Sequence, residues 1–475
     1  MKQRQNLRVG LCGIGLEAYW EQFPNLKPRL EGYVQQVADR LMRAGIELVN
    51  LGLIDTPTCG QQTGRQCRST DIDVLFIYVT TYAVSSIVLP LVQRAKVPVI
   101  LLNLQPNAAI DYRAVNQWRD RTKMTENWLA YCSACPVPEI ANVFKRANIP
   151  FHAVNGTLED DATWTEIEEW LSAAWVKNDL ESNRLGLLGH YYSGMLDVMT
   201  DVTQVAITFG THVEILEVDQ LSALRTGIEG PAVTQRVADF QKHFDVQPDC
   251  SEYELQRAAS TSVALDKFVD IHDLHSLAYY YEGKGNAANK DTMSSIILGT
   301  SMLTARNIPV AGEYEVKNVV AMKILDSFGV GGSFTEFYAV DYAADLVLMG
   351  HDGPGHSTIA EGKTKVRPLQ VYHGKVGQGL SVEMSVRYGP VTLLSIVEDK
   401  DTGFRLLVAE GVCEPGEILE IGNTNSRFRF PIGARDFLEH WNSQGAAHHC
   451  AVGIGYVANR LKKLAELLKI NFYQV

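Results

Sequence analysis

Four short stretches in the second half of the chain set carboxylates and imidazoles among glycines and apolar residues: Gly312-Glu313-Tyr-Glu315, Ser333-Phe-Thr-Glu336, Met349-Gly350-His351 and Gly445-Ala-Ala-His448-His449. A lone glutamate is ordinarily a solvated surface charge, and a lone histidine ordinarily a satisfied polar group. The settings here argue otherwise. Glu313 follows Ile308-Pro-Val-Ala-Gly, Glu336 follows Gly-Gly-Ser-Phe-Thr, and His351 ends the apolar run Asp345-Leu-Val-Leu-Met-Gly, so each group emerges from an element that is itself buried. Charged groups do not stay in such places without partners. Two carboxylates and two imidazoles supply four ligands to one divalent cation and leave positions open for substrate oxygens. That donor set suits Mn²⁺, Co²⁺ or Mg²⁺ better than a closed zinc site. Neighbours compete for the same roles: Glu315 lies two positions after Glu313, His356 follows His351 across a Gly-Pro-Gly turn, and His448 precedes His449. Adjacent side chains on an extended segment point to opposite faces, so only one of the last pair reaches the ion.

The elements that must position these groups fall into three segments. In the first third, the apolar runs Leu7 to Ile14, Glu47 to Leu53, Asp73 to Val79, Val97 to Leu102 and Pro150 to Val154 read as buried strands. Helical patterns such as Arg29 to Ala44 and Ser85 to Ala95 alternate with them. A helix predicted over Asp160 to Asn183 leads into a second alternating segment, with strands at Arg184 to Gly189, Val205 to Phe209 and Val213 to Val218 and a closing helix at Lys317 to Phe328. Beyond Gly331-Gly332 the pattern turns β-rich, with strands including Asp345 to Met349, Leu369 to Tyr372, Val391 to Glu398, Arg405 to Glu410 and Glu417 to Glu420. The fold class expected is α/β: two doubly wound, Rossmann-like α/β domains (1–160 and 161–330) and a β-rich, antiparallel, barrel-like domain (331–475) closed by a helix. At 475 residues the chain is long enough for three such cores.

These motifs resemble the L-arabinose isomerases and, more distantly, the L-fucose isomerases. The likeness is carried by Leu303-Thr-Ala-Arg-Asn-Ile-Pro-Val-Ala-Gly-Glu313, Gly331-Gly-Ser-Phe-Thr-Glu336, Leu348-Met-Gly-His351 and Trp441-Asn-Ser-Gln-Gly-Ala-Ala-His-His449. It is specific from about Leu185 onward and weak before that. The resemblance implies that Glu313, Glu336, His351 and His449 bind a divalent metal, Mn²⁺ first, and that the two glutamates also move protons in aldose–ketose isomerisation, L-arabinose to L-ribulose by default. It implies sugar contacts at Met195, Tyr281 and His448, and a hexamer in which a neighbour's N-terminal domain helps cover the site. Three departures bear on which sugar is taken, D-galactose and L-fucose included: Thr335 stands for a methionine, Asp352-Gly353 for an apolar pair, and Tyr281 for an apolar aromatic.

Composition narrows the partners. The balance of 43 Lys and Arg against 55 Asp and Glu, a formal charge of −12, opposes nucleic-acid binding, and the densest basic stretch, Arg460, Lys462 and Lys463, reads as the solvated face of a helix. No apolar stretch approaches the roughly 18 residues of a membrane span. Lys2 and Arg4 lead into a glycine-bearing strand rather than a cleavable leader, and eight scattered cysteines form no disulfide framework, which together fit a reducing cytoplasm. Cys132-Ser-Ala-Cys135 has redox spacing but reads as two reduced thiols at a helix start. Rival readings are a nicotinamide dehydrogenase, suggested by Gly10, Gly13 and Gly15 but in the wrong order for the dinucleotide fingerprint, and a sugar-binding homologue without catalysis. A metal-dependent aldolase would call for more histidines.

Overall fold

The computed structural model describes residues 7–282, 285–369, 371–372, 375–376 and 378–475, with only the backbone described at 371–372 and 375–376. Lys2 and Arg4, on which the reading of the N-terminus turned, lie outside the described residues, as does Gln370 of the expected strand Leu369 to Tyr372. The chain forms two compact units, one ending at Asn178 and one beginning at Asp179.

The first unit holds one parallel sheet, with strands β1 (Arg8–Ile14), β2 (Glu47–Ile54), β3 (Val74–Val79), β4 (Val99–Gln105) and β5 (Phe151–Thr157) in the order β2-β1-β3-β4-β5. β3 is apolar and buried at every residue, as a strand covered by helices on both faces requires. Its core joins Ile77 and Val79 to Ile87 and Leu91 of the helix Ser85–Ala95 and Phe144 of the helix Pro136–Arg146. Gly10 and Gly13 lie within β1, and the element directly after Gly15 is a one-turn helix, Glu17–Tyr19, with the long helix Leu26–Met42 starting eleven residues on. A dinucleotide fingerprint needs a glycine loop opening a longer helix, so that rival loses its basis.

The second unit begins with β6 (Arg184–Gly189), β7 (His212–Leu216), the two-residue β8 (Asp245–Val246), β9 (Ser276–Tyr280) and β10 (Val310–Ala311). β10-β9-β6-β7 make a parallel sheet flanked by helices. Its core sets Leu188 and Leu277 against Phe240, Leu265 and Phe268. The expected strand Val205 to Phe209 is instead the end of a helix, Val202–Phe209. Its caps explain the difference: Asp201 accepts from the backbone of Thr203 (2.8 Å) and Gln204 (3.3 Å), and Gly210 closes the helix at φ 71°.

The remaining strands are β11 (Ser333–Asp341), β12 (Leu346–His351), β13 (Lys365–Pro368), β14 (Val371–Tyr372), β15 (Lys375–Val376), β16 (Leu380–Glu383), β17 (Gly389–Asp399), β18 (Gly403–Cys413), β19 (Thr424–Arg429), β20 (His449–Ile454) and β21 (Asn471–Gln474). The main sheet runs β17-β20-β11-β12-β19-β18, and β17 pairs again with β18 to close a six-stranded antiparallel barrel, to which β21 adds in parallel. Glu417 to Glu420, expected as a strand, carries none. The helix Val316–Ser327 is buried at all twelve residues and packs against both β9 and the barrel strands β17 and β20. Two parallel sheets with helices and an antiparallel barrel-like sheet are the α/β architecture that the sequence predicts.

Candidate metal centre

Strand register alone brings two of the four groups together. On β11, Glu336 stands opposite His449 of β20 on one side and Gly350 of β12 on the other. Residues directly opposite in an antiparallel pair share a face, with Cβ atoms about 5 Å apart. His351, the last residue of β12, is clamped to β19: its backbone N–H donates to Thr424 Oγ1 (2.9 Å), whose hydroxyl donates to the His351 carbonyl (3.1 Å). Gly350 permits this approach, because a Cβ there would stand 1.8 Å from the Thr424 carbonyl oxygen.

Glu313 arrives from a different element, the turn between β10 and the helix Val316–Ser327. Glu313 and Tyr314 are both left-handed, at φ 54° and 60°, a conformation that costs non-glycine residues about 1–3 kcal/mol each. The backbone N–H of Tyr314 donates to the Tyr279 carbonyl of β9 (3.0 Å), and its ring packs edge-on against Tyr191, so the surroundings hold the strained turn in place.

Five groups, the four expected ligands and His448, form two triads that share His449, so both histidines of the pair reach the cluster rather than the one expected. Ligand atoms of Glu336, His351 and His449 lie within 4.8 Å of one another, as do those of Glu313, His448 and His449. His449 Nε2 is 3.4 Å from Glu313 Oε2, and the Phe334 ring packs against both His351 and His449. An octahedral ion with bonds of about 2.1 Å has neighbouring ligands about 3 Å apart and opposite ligands about 4.2 Å apart. His449 is fully buried, and its Nε2 has no hydrogen-bond partner among the described residues. A buried lone pair with a carboxylate at its edge, in a donor set of two carboxylates and two imidazoles, fits a divalent metal ion.

The groups behind these ligands form a buried ionic chain. Glu315 Oε2 lies 3.5 Å from His449 Nδ1, and Lys317 Nζ lies 3.8 Å from Glu315 Oε1. Burial pushes the Glu315 carboxyl up to about 7, although the Lys317 charge pulls the other way. Burial, with the nearby His448, holds His449 well below the ordinary imidazole range, which keeps it neutral as a ligand must be. His448 is a third exposed. Its Nδ1 is 2.6 Å from Asp197 Oδ2, and its Nε2 is 3.9 Å from both Glu313 Oε2 and Glu336 Oε2.

A cavity of about 290 Å³ opens on the cluster, lined by Glu313 and His351 together with Tyr279, Tyr281, Lys290 and Asp352. Of the residues singled out in the sequence, Glu313, Glu336, His351, His448 and His449 converge, and Tyr281 lines the cavity. Met195 is half-buried and is not among the cavity's lining residues, though it lies two positions before Asp197. Glu315 sits behind His449 rather than among the candidate ligands. His356 is turned away to a buried pairing with Asp326 (3.3 Å). Asp197, Lys317 and Phe334 escaped sequence reasoning. Lys317 did leave a signal, as a lysine inside the apolar helical run Val316-Lys-Asn-Val-Val-Ala-Met, whereas Asp197 left none.

Comparison with known proteins agrees with the motif resemblance. Residues 331–471 match the family described as L-arabinose isomerase C-terminal domain. The chain is 20% identical over 427 residues to an L-arabinose isomerase of Aeromonas salmonicida (strain A449), covering 84% of this chain and 80% of that protein. It is also 20% identical over 346 residues to one of Clostridium beijerinckii, covering 70% and 68%. Among solved structures, the match to an ABC-transporter solute-binding protein from Burkholderia multivorans covers 69% of this chain and 93% of that one at 11% identity, with a TM-score of 0.17.

Proposed function

We propose that this chain, a distant member of the L-arabinose isomerase family, is a metal-dependent aldose–ketose isomerase, an intramolecular oxidoreductase that converts L-arabinose to L-ribulose by default. The observation that carries the reading is the convergence of Glu313, Glu336, His351 and His449 beside a cavity that reaches Glu313 and His351. These four residues would hold the cation, Mn²⁺ first and Co²⁺ or Mg²⁺ next. When bound, it supplies Lewis-acid polarisation of the sugar's carbonyl and neighbouring hydroxyl.

The protein's own groups do the rest. One of the two glutamates takes the C2 proton and returns it to C1, through an enediol or enediolate, while the other carries the hydroxyl proton. Their carboxylates flank the same gap, each 3.9 Å from His448 Nε2. His448, Met195 and Tyr281 contact the sugar. Tyr281 and Asp352 stand in the cavity wall as polar departures from the family pattern, and the alternative substrate is another aldose such as D-galactose or L-fucose. In this reading segments 1–160, 161–330 and 331–475 are the three domains, and the cytoplasmic enzyme is a homo-hexamer whose neighbouring subunits share each site.

The test is ketose formation by the Mn²⁺-loaded protein across a panel of aldopentoses and aldohexoses, repeated after chelation. Activity lost on chelation and restored by Mn²⁺ supports the proposal. No conversion of any aldose refutes it and leaves a binding protein. Deuterium from D₂O appearing at C1 of the sugar marks proton transfer through an exchangeable base and excludes a direct hydride shift.

A further inference from the structure

Asp197 and His448 are 251 residues apart in sequence, yet one carboxylate oxygen takes two hydrogen bonds from a single residue. Asp197 Oδ2 accepts from the His448 backbone N–H (3.0 Å) and lies 2.6 Å from the ring Nδ1. An ionised carboxylate only accepts, so the Nδ1 that faces it carries a proton. That leaves Nε2 as the nitrogen turned toward Glu313 and Glu336, 3.9 Å from each. This separation is too long for a hydrogen bond and leaves space for a substrate hydroxyl between the three groups.

Asp197 is itself held in place. Lys317 Nζ donates to its backbone carbonyl (2.6 Å) and to that of Met199 (3.3 Å). The same ammonium pairs with Glu315, behind His449. The short segment that carries Asp197 is thus pinned to the start of the helix that follows Glu313, so the carboxylate keeps a fixed place relative to the candidate ligands.

We infer that Asp197 is a positioning residue for the isomerisation proposed above: it fixes the ring and tautomer of His448 so that Nε2 meets a sugar hydroxyl between Glu313 and Glu336. The inference rests on that functional reading. The Asp197 and His448 side chains are 43% and 36% exposed, and polar contacts so open to solvent add little to stability. A purely structural role therefore predicts almost no effect of substitution, whereas losing the partner that orients a site histidine typically costs about 10- to 100-fold in activity.

The test combines kinetics with nitrogen-15 spectroscopy of the histidine rings in metal-free protein. Wild-type His448 is expected as the Nδ1-protonated ring, and Asp197→Ala should release it from that form. The same variant should lose about 10- to 100-fold in kcat, with KM, Mn²⁺ affinity and melting temperature little changed. Asp197→Asn keeps an acceptor oxygen and should recover part of the loss. An Nε2-protonated ring in the wild type, or unchanged kcat in Asp197→Ala, overturns the inference. A wild type that converts no aldose sinks the isomerase reading and the catalytic half of this one, while the ring spectrum still decides whether Asp197 sets the tautomer.

Discussion

Glu313 and Glu336 approach the same imidazoles with different backbone histories, one from a strained left-handed turn and the other from a paired strand position just before a register shift. Replacing either by glutamine keeps the shape but removes the negative charge and the basic oxygen. Glu313→Gln and Glu336→Gln should each lower kcat by about 100- to 10,000-fold, the usual worth of a positioned acid or base, with an unchanged circular dichroism spectrum. Full turnover in both variants would remove the carboxylates from the mechanism. Glu315 has a different part. It is fully buried, faces His449 Nδ1 and aims that ring's other nitrogen at the cluster. Glu315→Gln should therefore weaken Mn²⁺ binding by about 10- to 100-fold in a calorimetric titration of the otherwise folded protein, and unaltered affinity would count against that role. At this scale the sequence was informative about residue type and setting, since glycines and apolar runs around each glutamate and histidine marked them as emerging from the interior. It could not rank Glu315 against Glu313, because two residues of separation says nothing about which carboxylate faces a ligand and which stands behind one.

The barrel strands convert that local chemistry into a site. β11 lies between β20 and β12, so Glu336 has His449 on one side and the Gly350-His351 strand end on the other. Gly350→Ala tests this arrangement. With its Cβ forced onto the Thr424 carbonyl, β12 must move off β19, and we expect about 1–3 kcal/mol of lost stability in urea denaturation together with weaker Mn²⁺ binding. Normal stability and affinity in that variant would show that the strand end tolerates displacement. Elements were legible where their pattern had one reading: the apolar runs of β1 to β5, separated by helical segments, are strands as expected, but β2 and β5, expected to be buried, lie at the sheet edges with one buried residue each. Val205 to Phe209 misled because a five-residue apolar run fits a strand as well as a helix face, and the caps at Asp201 and Gly210 decided it. β11, β19 and β20 gave weaker signals, since Ser, Thr, Asn, Glu and His interrupt their alternation. The same polar residues put the candidate ligands on β11 and β20 and the Thr424 clamp on β19, so the strands nearest the chemistry were the hardest to read.

In the second unit a buried arginine and its partly exposed carboxylate partners tie helices together, and stability should depend on pH through them. Arg257, 4% exposed, donates to Asp291 Oδ1 (2.8 Å), to Glu254 (2.5 Å) and to Ser294 Oγ (2.6 Å), and Arg225 donates to the other oxygen of Asp291. This network joins the helices Val218–Thr226 and Glu252–His272 to the helix Ala287–Met293, whose Lys290 and Met293, with the following Ser294, line the cavity. Burial would raise the Asp291 carboxyl, but the hydrogen bond and charge of Arg225, with the charge of Arg257, outweigh it and hold the group below its ordinary 3.8. A carboxyl depressed in the folded state binds its proton more readily when unfolded, so its contribution is complete above about pH 3.8 and disappears as pH falls through the lower folded value. Asp291→Asn removes the charge that Arg257 and Arg225 share and leaves Glu254 as the remaining countercharge of Arg257, so the variant should be less stable than the wild type near neutrality. Urea denaturation at a series of pH values should show the two stabilities converging below about pH 3.8, because the wild-type carboxyl is then protonated as well. A gap of constant size from neutral to acid pH would mean that Asp291 acts through shape rather than charge, and the network's hold on the cavity wall would then be steric.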